Sequence, residues 1–197
     1  MRWVTAQDLQ IWAGRIEAEA KLPELVRRLV HASTTPELIS FPAGESIQTP
    51  GWDGIVQAPT TTTYVPQGWS GWELSKRADT TNKANEDYQN RIDHPQHLDP
   101  TKTAFIFVTP RRWNTKEDWI AEKKALGQRK DIRAYDADDL EQWLERAPAV
   151  GAWLAKLLHK YPNGVLDVRP TRGKTVKQPT GVHLCSKESV RRSGRHC

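Results

Sequence analysis

The sequence predicts an α/β domain in which one mixed sheet is flanked by helices, followed by a basic tail. Three features carry that expectation. Apolar residues recur at helical spacing near both ends of the first 161 positions. Residues 38–75 instead carry short extended runs punctuated by Pro and Gly, as a meander does. Residues 103–109 then form a continuous apolar run (Thr-Ala-Phe-Ile-Phe-Val-Thr), the pattern of a strand covered on both faces.

Residues 5–32 read as helix, with Thr5 as N-cap and Leu9, Trp12, Ile16 and Glu19/Ala20 on one stripe. Pro23 suits the first turn of a second helical segment, or a kink. Leu22, Leu25, Val26, Leu29 and Val30 would form the buried face beyond it. The meander is expected as runs at about 44–48, 52–58 and 69–75. Residues 82–92 return to helix, and Thr115 caps another that reaches about 126. A short strand at 131–135 precedes a helix capped by Asp136 or Asp138, and a last helix covers 148–159. The predicted order is therefore α, three strands, α, β, α, β, α, α.

The chain is 37% hydrophobic and 27% charged, the composition of a polar globular domain. No apolar run is long enough for a membrane span, and the N-terminus lacks the order of a signal peptide. The net charge of +5 is unevenly placed. Residues 162–197 hold eight of the 29 basic side chains and, in Asp167 and Glu188, only two of the 24 acidic ones. The first 161 residues are thus close to neutral, so bulk charge does not make them a nucleic-acid binder. All nine Trp fall before residue 154, while both cysteines, Cys185 and Cys197, fall after 161. A cysteine-free body fits a reducing, cytoplasmic compartment. Domain 1–161 is expected to fold, and 162–197 to be disordered, with a texture that suggests a truncated or out-of-frame end.

The densest group of chemistry-bearing residues is Gly51-Trp52-Asp53-Gly54 with Trp72-Glu73-Leu74-Ser75-Lys76. Hairpin geometry can bring acids on neighbouring strands to one spot. Two such carboxylates repel unless a cation lies between them, and Mg²⁺ takes one or two carboxylates while keeping waters for a phosphate substrate. Either acid alone reads as a turn or surface residue; the pair reads as a site. Trp52, Trp69 and Trp72 could stack bases, although most of the nine Trp are expected to fill the core. Lys83, Asp87 and Arg91, spaced i, i+4 and i+8, share one helix face. They read either as a surface ion-pair ladder or as a group in which Lys83 reaches the acids and Arg91 meets phosphate. His31, His94, His97 and His159 lack ligand spacing, and no Gly-rich phosphate loop is present.

The order α-β-β-β-α-β, with an acid on the second strand and Glu-x-Ser/Lys on the third, resembles the PD-(D/E)XK restriction-endonuclease-like nucleases. A narrower set is similar to the effector regions found at the N-terminus of bacterial antiviral STAND-type ATPase proteins. It comprises residues 22–29 (Leu-Pro-Glu-Leu-Val-Arg-Arg-Leu), 50–54 (Pro-Gly-Trp-Asp-Gly), Val65-Pro66-x-Gly68 and 72–75 (Trp-Glu-Leu-Ser). Lys83-Ala84, Asp87-Tyr88, Arg91 and the run 135–144 complete it. The resemblance covers about residues 5–160. It implies a restriction-endonuclease-like sheet and an Mg²⁺- or Mn²⁺-dependent DNA endonuclease, partnered by a STAND-type ATPase or sensor module and capable of forming homo-oligomers. Asp53 and Glu73 would be the metal acids, with Glu19 a further acid from the first helix. The family's strand lysine falls on Ser75, which carries no charge. Lys76 should point to the opposite face of the strand, so Lys83 is the expected substitute. Arg91, Trp72 and Lys76 would contact nucleic acid. The Ser75 departure supports an alternative: a catalytically inactive nucleic-acid-binding or protein-interaction module on the same fold.

Overall fold

The structure, a computed structural model, describes residues 3–42 and 51–160. The expected run at 44–48 and the tail at 162–197 lie outside the described residues. Within them the elements are α1 (Ala6–Ala13), α2 (Glu17–Ser33), β1 (Leu38–Ser40), β2 (Gly54–Ala58), β3 (Gly68–Leu74) and α3 (Thr80–Asp93). A 3₁₀ turn at Pro100–Lys102 leads to β4 (Thr103–Val108), α4 (Lys116–Ala125), β5 (Asp131–Tyr135), α5 (Ala137–Arg146) and α6 (Pro148–Leu157). None of these helices is long and apolar enough to cross a membrane.

Five strands form one mixed sheet in the order β1-β2-β3-β4-β5. The first three run antiparallel, with Gly54 opposite Trp72, and β3, β4 and β5 run parallel. The protein is thus an α/β fold with the core order α-β-β-β-α-β. One face carries Val56, Trp72, Ile106 and Val108, buried against α1, α2, α5 and α6. The other carries Phe105, Phe107 and Ile132, buried with Trp52 against α3 and α4. Every residue of β4 is buried, which is why its sequence is unbroken by polar alternation.

The helical N-terminus departs from the single stripe expected of 5–32. Thr5 and Asp8 form a capping box, but α1 stops at Ala13 and the chain turns through Gly14–Ile16 before α2. That turn throws Ile16 outward, 90% exposed. Pro23 is the seventh residue of α2, inside the helix rather than in its first turn, and its missing N–H forgoes one backbone bond there. Downstream, Asp136 rather than Asp138 caps α5, paired reciprocally with Asp139.

Two glycines make room for rings. A Cβ at Gly71 would lie 2.5 Å from the Trp52 ring, and one at Gly54 would lie 2.1 Å from Phe41. Trp52 therefore lies flat across β3 just where the chain reaches Asp53. Packing, rather than ligand access, explains Gly54.

A candidate acidic cleft at the end of strand three

Asp53 immediately precedes β2 and stands level with Glu73 near the end of β3, as the Gly54–Trp72 pairing dictates. The backbone N–H of Leu74 donates to Asp53 Oδ2 at 2.8 Å, which fixes the carboxylate against the strand end. The Asp53 and Glu73 carboxyls come within hydrogen-bonding reach of each other. Burial, and then the charge of Asp53, push Glu73 up to about 9, against the pull of Arg91. Burial also raises Asp53. At neutral pH the pair therefore keeps one proton, with Glu73 donating to Asp53.

Helix α3 supplies the surrounding charges. Its face at Lys83, Asp87 and Arg91 turns toward these acids, as the i, i+4, i+8 spacing predicts. Arg91 donates from Nε to Glu73 Oε1 in buried surroundings and from Nη2 to the partly buried Gly51 carbonyl. Its guanidinium lies 5.2 Å from the centroid of the Trp52 ring, and that of Arg129 lies 5.4 Å from the same centroid. Arg129 in turn donates to the Arg91 carbonyl. Lys83 donates to Asp87 Oδ1. Asp87 is buried, and its Oδ2 has no hydrogen-bond partner.

An open cleft of about 270 Å³ lies against this end of the sheet, lined by Glu19, Leu22, Asp53, Ser75, Lys76 and Lys83 among others. Its walls are the start of α2, the end of β3 and the first turn of α3. Lys76 reaches across to the Arg15 carbonyl at 3.1 Å and lies 3.6 Å from Glu19. The Ser75 hydroxyl accepts the Arg77 N–H at 3.1 Å and so shapes the turn out of β3.

The structure thus gathers Asp53, Glu73 and Lys83, with Ser75 and Lys76 beside them, and alters four expectations. Trp72 is fully buried in the core, its indole N–H bonded to Ser70 Oγ at 3.0 Å, so no base can stack on it. Arg91 is also buried, and its donors are spent on Glu73 and Gly51 rather than facing a phosphate. Glu19 does not face the sheet: its side chain is 69% exposed at the lip of the cleft, because the turn at Gly14–Ile16 rotates α2 relative to α1. The alternation rule set Lys76 on the side opposite Ser75, yet both line the cleft, since β3 ends at Leu74. The sequence reading gave no role to Asp87 beyond the ladder. The signal available was its place four residues after a lysine in a helix's first turn.

Among the described residues, no three His, Cys, Asp or Glu side chains are grouped so as to hold a metal ion. Asp53 and Glu73 are a two-carboxylate set, and such a set suits Mg²⁺, which retains waters for its other positions. Their shared proton supports that fit, because it marks a spot where these acids require a positive charge. Comparison of the chain with protein-family models, with curated proteins and with solved structures finds no match.

Proposed function

We propose that this domain is a metal-dependent DNA endonuclease that hydrolyses phosphodiester bonds, with Asp53 and Glu73 as its acids. One observation carries the reading: two carboxyls converge at the end of a central strand, Glu73 buried behind Asp53, and Asp53 lines an open cleft that also receives a lysine. The order α-β-β-β-α-β around them is that of the PD-(D/E)XK nucleases the sequence resembles.

Asp53 and Glu73 would hold Mg²⁺ or Mn²⁺ on giving up their shared proton. The bound ion supplies Lewis-acid stabilisation of the phosphate and a more acidic attacking water. In the hydrolysis, water adds to phosphorus, the bond from phosphorus to the leaving oxygen breaks, and that oxygen takes a proton. Lys83, at the cleft wall beside Asp53, supplies the fixed positive charge that Ser75 lacks, placed where negative charge grows on the phosphate oxygens. Lys76 and Arg77, also lining the cleft, are suited to the neighbouring backbone phosphates. We assign the domain to bacterial antiviral defence in the cytoplasm, as an effector governed by a STAND-type ATPase or sensor module.

A second reading has an observation of its own. Arg91 already occupies Glu73 Oε1, and Ser75 stands at the family's lysine position, which suits a silent nucleic-acid-binding or interaction module. Incubating the full chain with supercoiled plasmid separates the two. Nicking or linearisation in Mg²⁺ or Mn²⁺, abolished by EDTA and by Asp53→Asn, supports the nuclease. Retained DNA binding without cleavage under every metal, even with an activating ATPase present, would leave the silent module.

A further inference from the structure

We infer that Asp87 is the positioning residue that holds the Lys83 ammonium beside Asp53, the two side chains acting as one unit on the α3 wall of the cleft. The step this unit serves rests on the endonuclease reading above; the positioning itself rests on geometry.

Helix energetics do not account for the pair. Lys83 lies in the first turn of α3, a turn that contains no acidic residue. A cation there opposes the positive end of the helix dipole. A lysine preceding its acid by four residues is also the weaker orientation of such pairs. On an exposed helix the pair would contribute a few tenths of a kcal/mol. Here Asp87 is buried, and taking a carboxylate out of water costs more than that unless both oxygens are bonded. Only Oδ1 is bonded, to Lys83, while Oδ2 has no partner. A side chain placed at a cost to the fold, with half its bonding capacity open, is expected at a working site.

The surroundings show what it works on. Lys83 is still 28% exposed and lines the cleft with Asp53 and Ser75. Arg91, the next cation on the same face, is bound to Glu73 and cannot take that place. Burial pushes Asp87 above its ordinary range, and the charge of Asp53 acts in the same direction. The lysine thus lies between two acids, bonded to Asp87 and lining the cleft beside Asp53. Without Asp87, a four-carbon stem at a helix start would swing into solvent.

The test uses the full chain and two independent readouts. In ¹⁵N-detected spectra of the lysine ammonium groups, the Lys83 signal, assigned by its loss in Lys83→Arg, should be protected from solvent exchange in the wild type. It should broaden away in Asp87→Asn and return in Asp87→Glu. In cleavage assays Asp87→Asn should lower kcat by about 10²-fold, the scale of a misplaced catalytic group, with Asp87→Glu recovering most of it. KM should stay within about twofold, because substrate binding does not need the pair. A Lys83 signal unchanged in Asp87→Asn, or Asp87→Asn cleaving as the wild type does, overturns the inference. If the wild type does not cleave, the endonuclease reading fails by itself, and the ammonium signal alone decides whether Asp87 positions Lys83.

Discussion

Among the described residues, two clusters of largely buried acids with a lysine are built to different standards. In the first, Asp136 accepts the N–H groups of Asp138 and Asp139, both at 3.2 Å, and that of Trp113 at 3.1 Å. Lys116 bonds Asp136 at 3.2 Å and also reaches Asp139, whose Oδ2 accepts the Asp136 N–H at 2.9 Å. Burial pushes Asp136 up, yet these hydrogen bonds and Lys116 bring it below its ordinary value overall, while burial keeps Asp139 above its own. In the second cluster, at Asp53, Glu73 and Asp87, the balance goes the other way. Burial raises all three acids, the charge of Asp53 adds to it at Glu73 and Asp87, and one carboxylate oxygen is left without a partner. A buried polar network that satisfies every member rigidifies a fold, whereas a partly satisfied one costs stability and is kept for another reason. The first cluster caps α5 and ties it to α4. The second reaches an open cleft through Asp53 and Lys83.

The comparison breaks most sharply on activity. Asp53→Asn should lower plasmid cleavage by roughly 10³-fold or more, since several kcal/mol of charge stabilisation is lost at about 1.4 kcal/mol per tenfold. Its stability should stay within about 1 kcal/mol of wild type in urea unfolding, because the amide oxygen can still accept from Leu74. Loss of folding to match the loss of cleavage would make Asp53 a structural residue and erase the contrast.

Asp136→Ala should show the converse. It removes the α5 cap, the acceptor of the Trp113 N–H and one of the two carboxylates that bind Lys116, so destabilisation of about 2 kcal/mol is expected, as for loss of a strong cap. Cleavage per folded molecule should be unchanged. A drop of under about 0.5 kcal/mol, the size of an ordinary surface change, would show that the satisfied network is not what holds this end of the sheet.

The pH dependence of stability sharpens the difference further. The Glu73 carboxyl is pushed up to about 9, so the folded chain holds a proton that the unfolded chain releases near the ordinary value of 4.5. Stability from this group is complete below pH 4.5 and declines as pH rises toward 9. Glu73→Gln should flatten that decline in urea midpoints taken from pH 6 to 9, since a neutral amide keeps the Arg91 contact without the titration. In the wild type Mg²⁺ should displace the proton, so its stabilising effect should grow over the same interval. A wild-type midpoint as flat with pH as that of Glu73→Gln would mean the pair does not share a proton.

Much of this was legible in the sequence because it depends on local pattern. The unbroken apolar run 103–109 predicts a doubly covered strand, and the i, i+4, i+8 spacing correctly sets Lys83, Asp87 and Arg91 on one face. The pairing of Asp53 with Glu73 follows from alternation and a hairpin. What could not be read depends on how elements are turned and on which groups compete. Periodicity carried Ile16 and Glu19 through what is in fact a break at Gly14, and so aimed both at the sheet. Trp72 in a site-like motif is indistinguishable from Trp72 in a core until the register shows which face it takes. The capture of Arg91 by Glu73 and the Gly51 carbonyl, across 18 and 40 residues, has no local signature.

The smallest expected effect falls on Glu19, where the resemblance and the geometry disagree. The resemblance makes Glu19 a third metal acid, whose removal would cost cleavage as much as loss of Asp53. The geometry sets it at the lip of the cleft, mostly exposed, and 3.6 Å from Lys76. An exposed pair of that length contributes between nothing and about 1 kcal/mol, and salt weakens it. Glu19→Gln should therefore leave the urea midpoint unchanged. It should free Lys76 from one neighbouring negative charge, so that DNA binding strengthens slightly at low salt and the gain disappears at high salt. Cleavage at saturating metal should follow the wild type. If Glu19→Gln instead raises the Mg²⁺ concentration needed for half-maximal cleavage tenfold or more, α2 must close over the cleft when the cation binds. The acid cluster would then extend across both walls rather than belonging to the end of β3 alone.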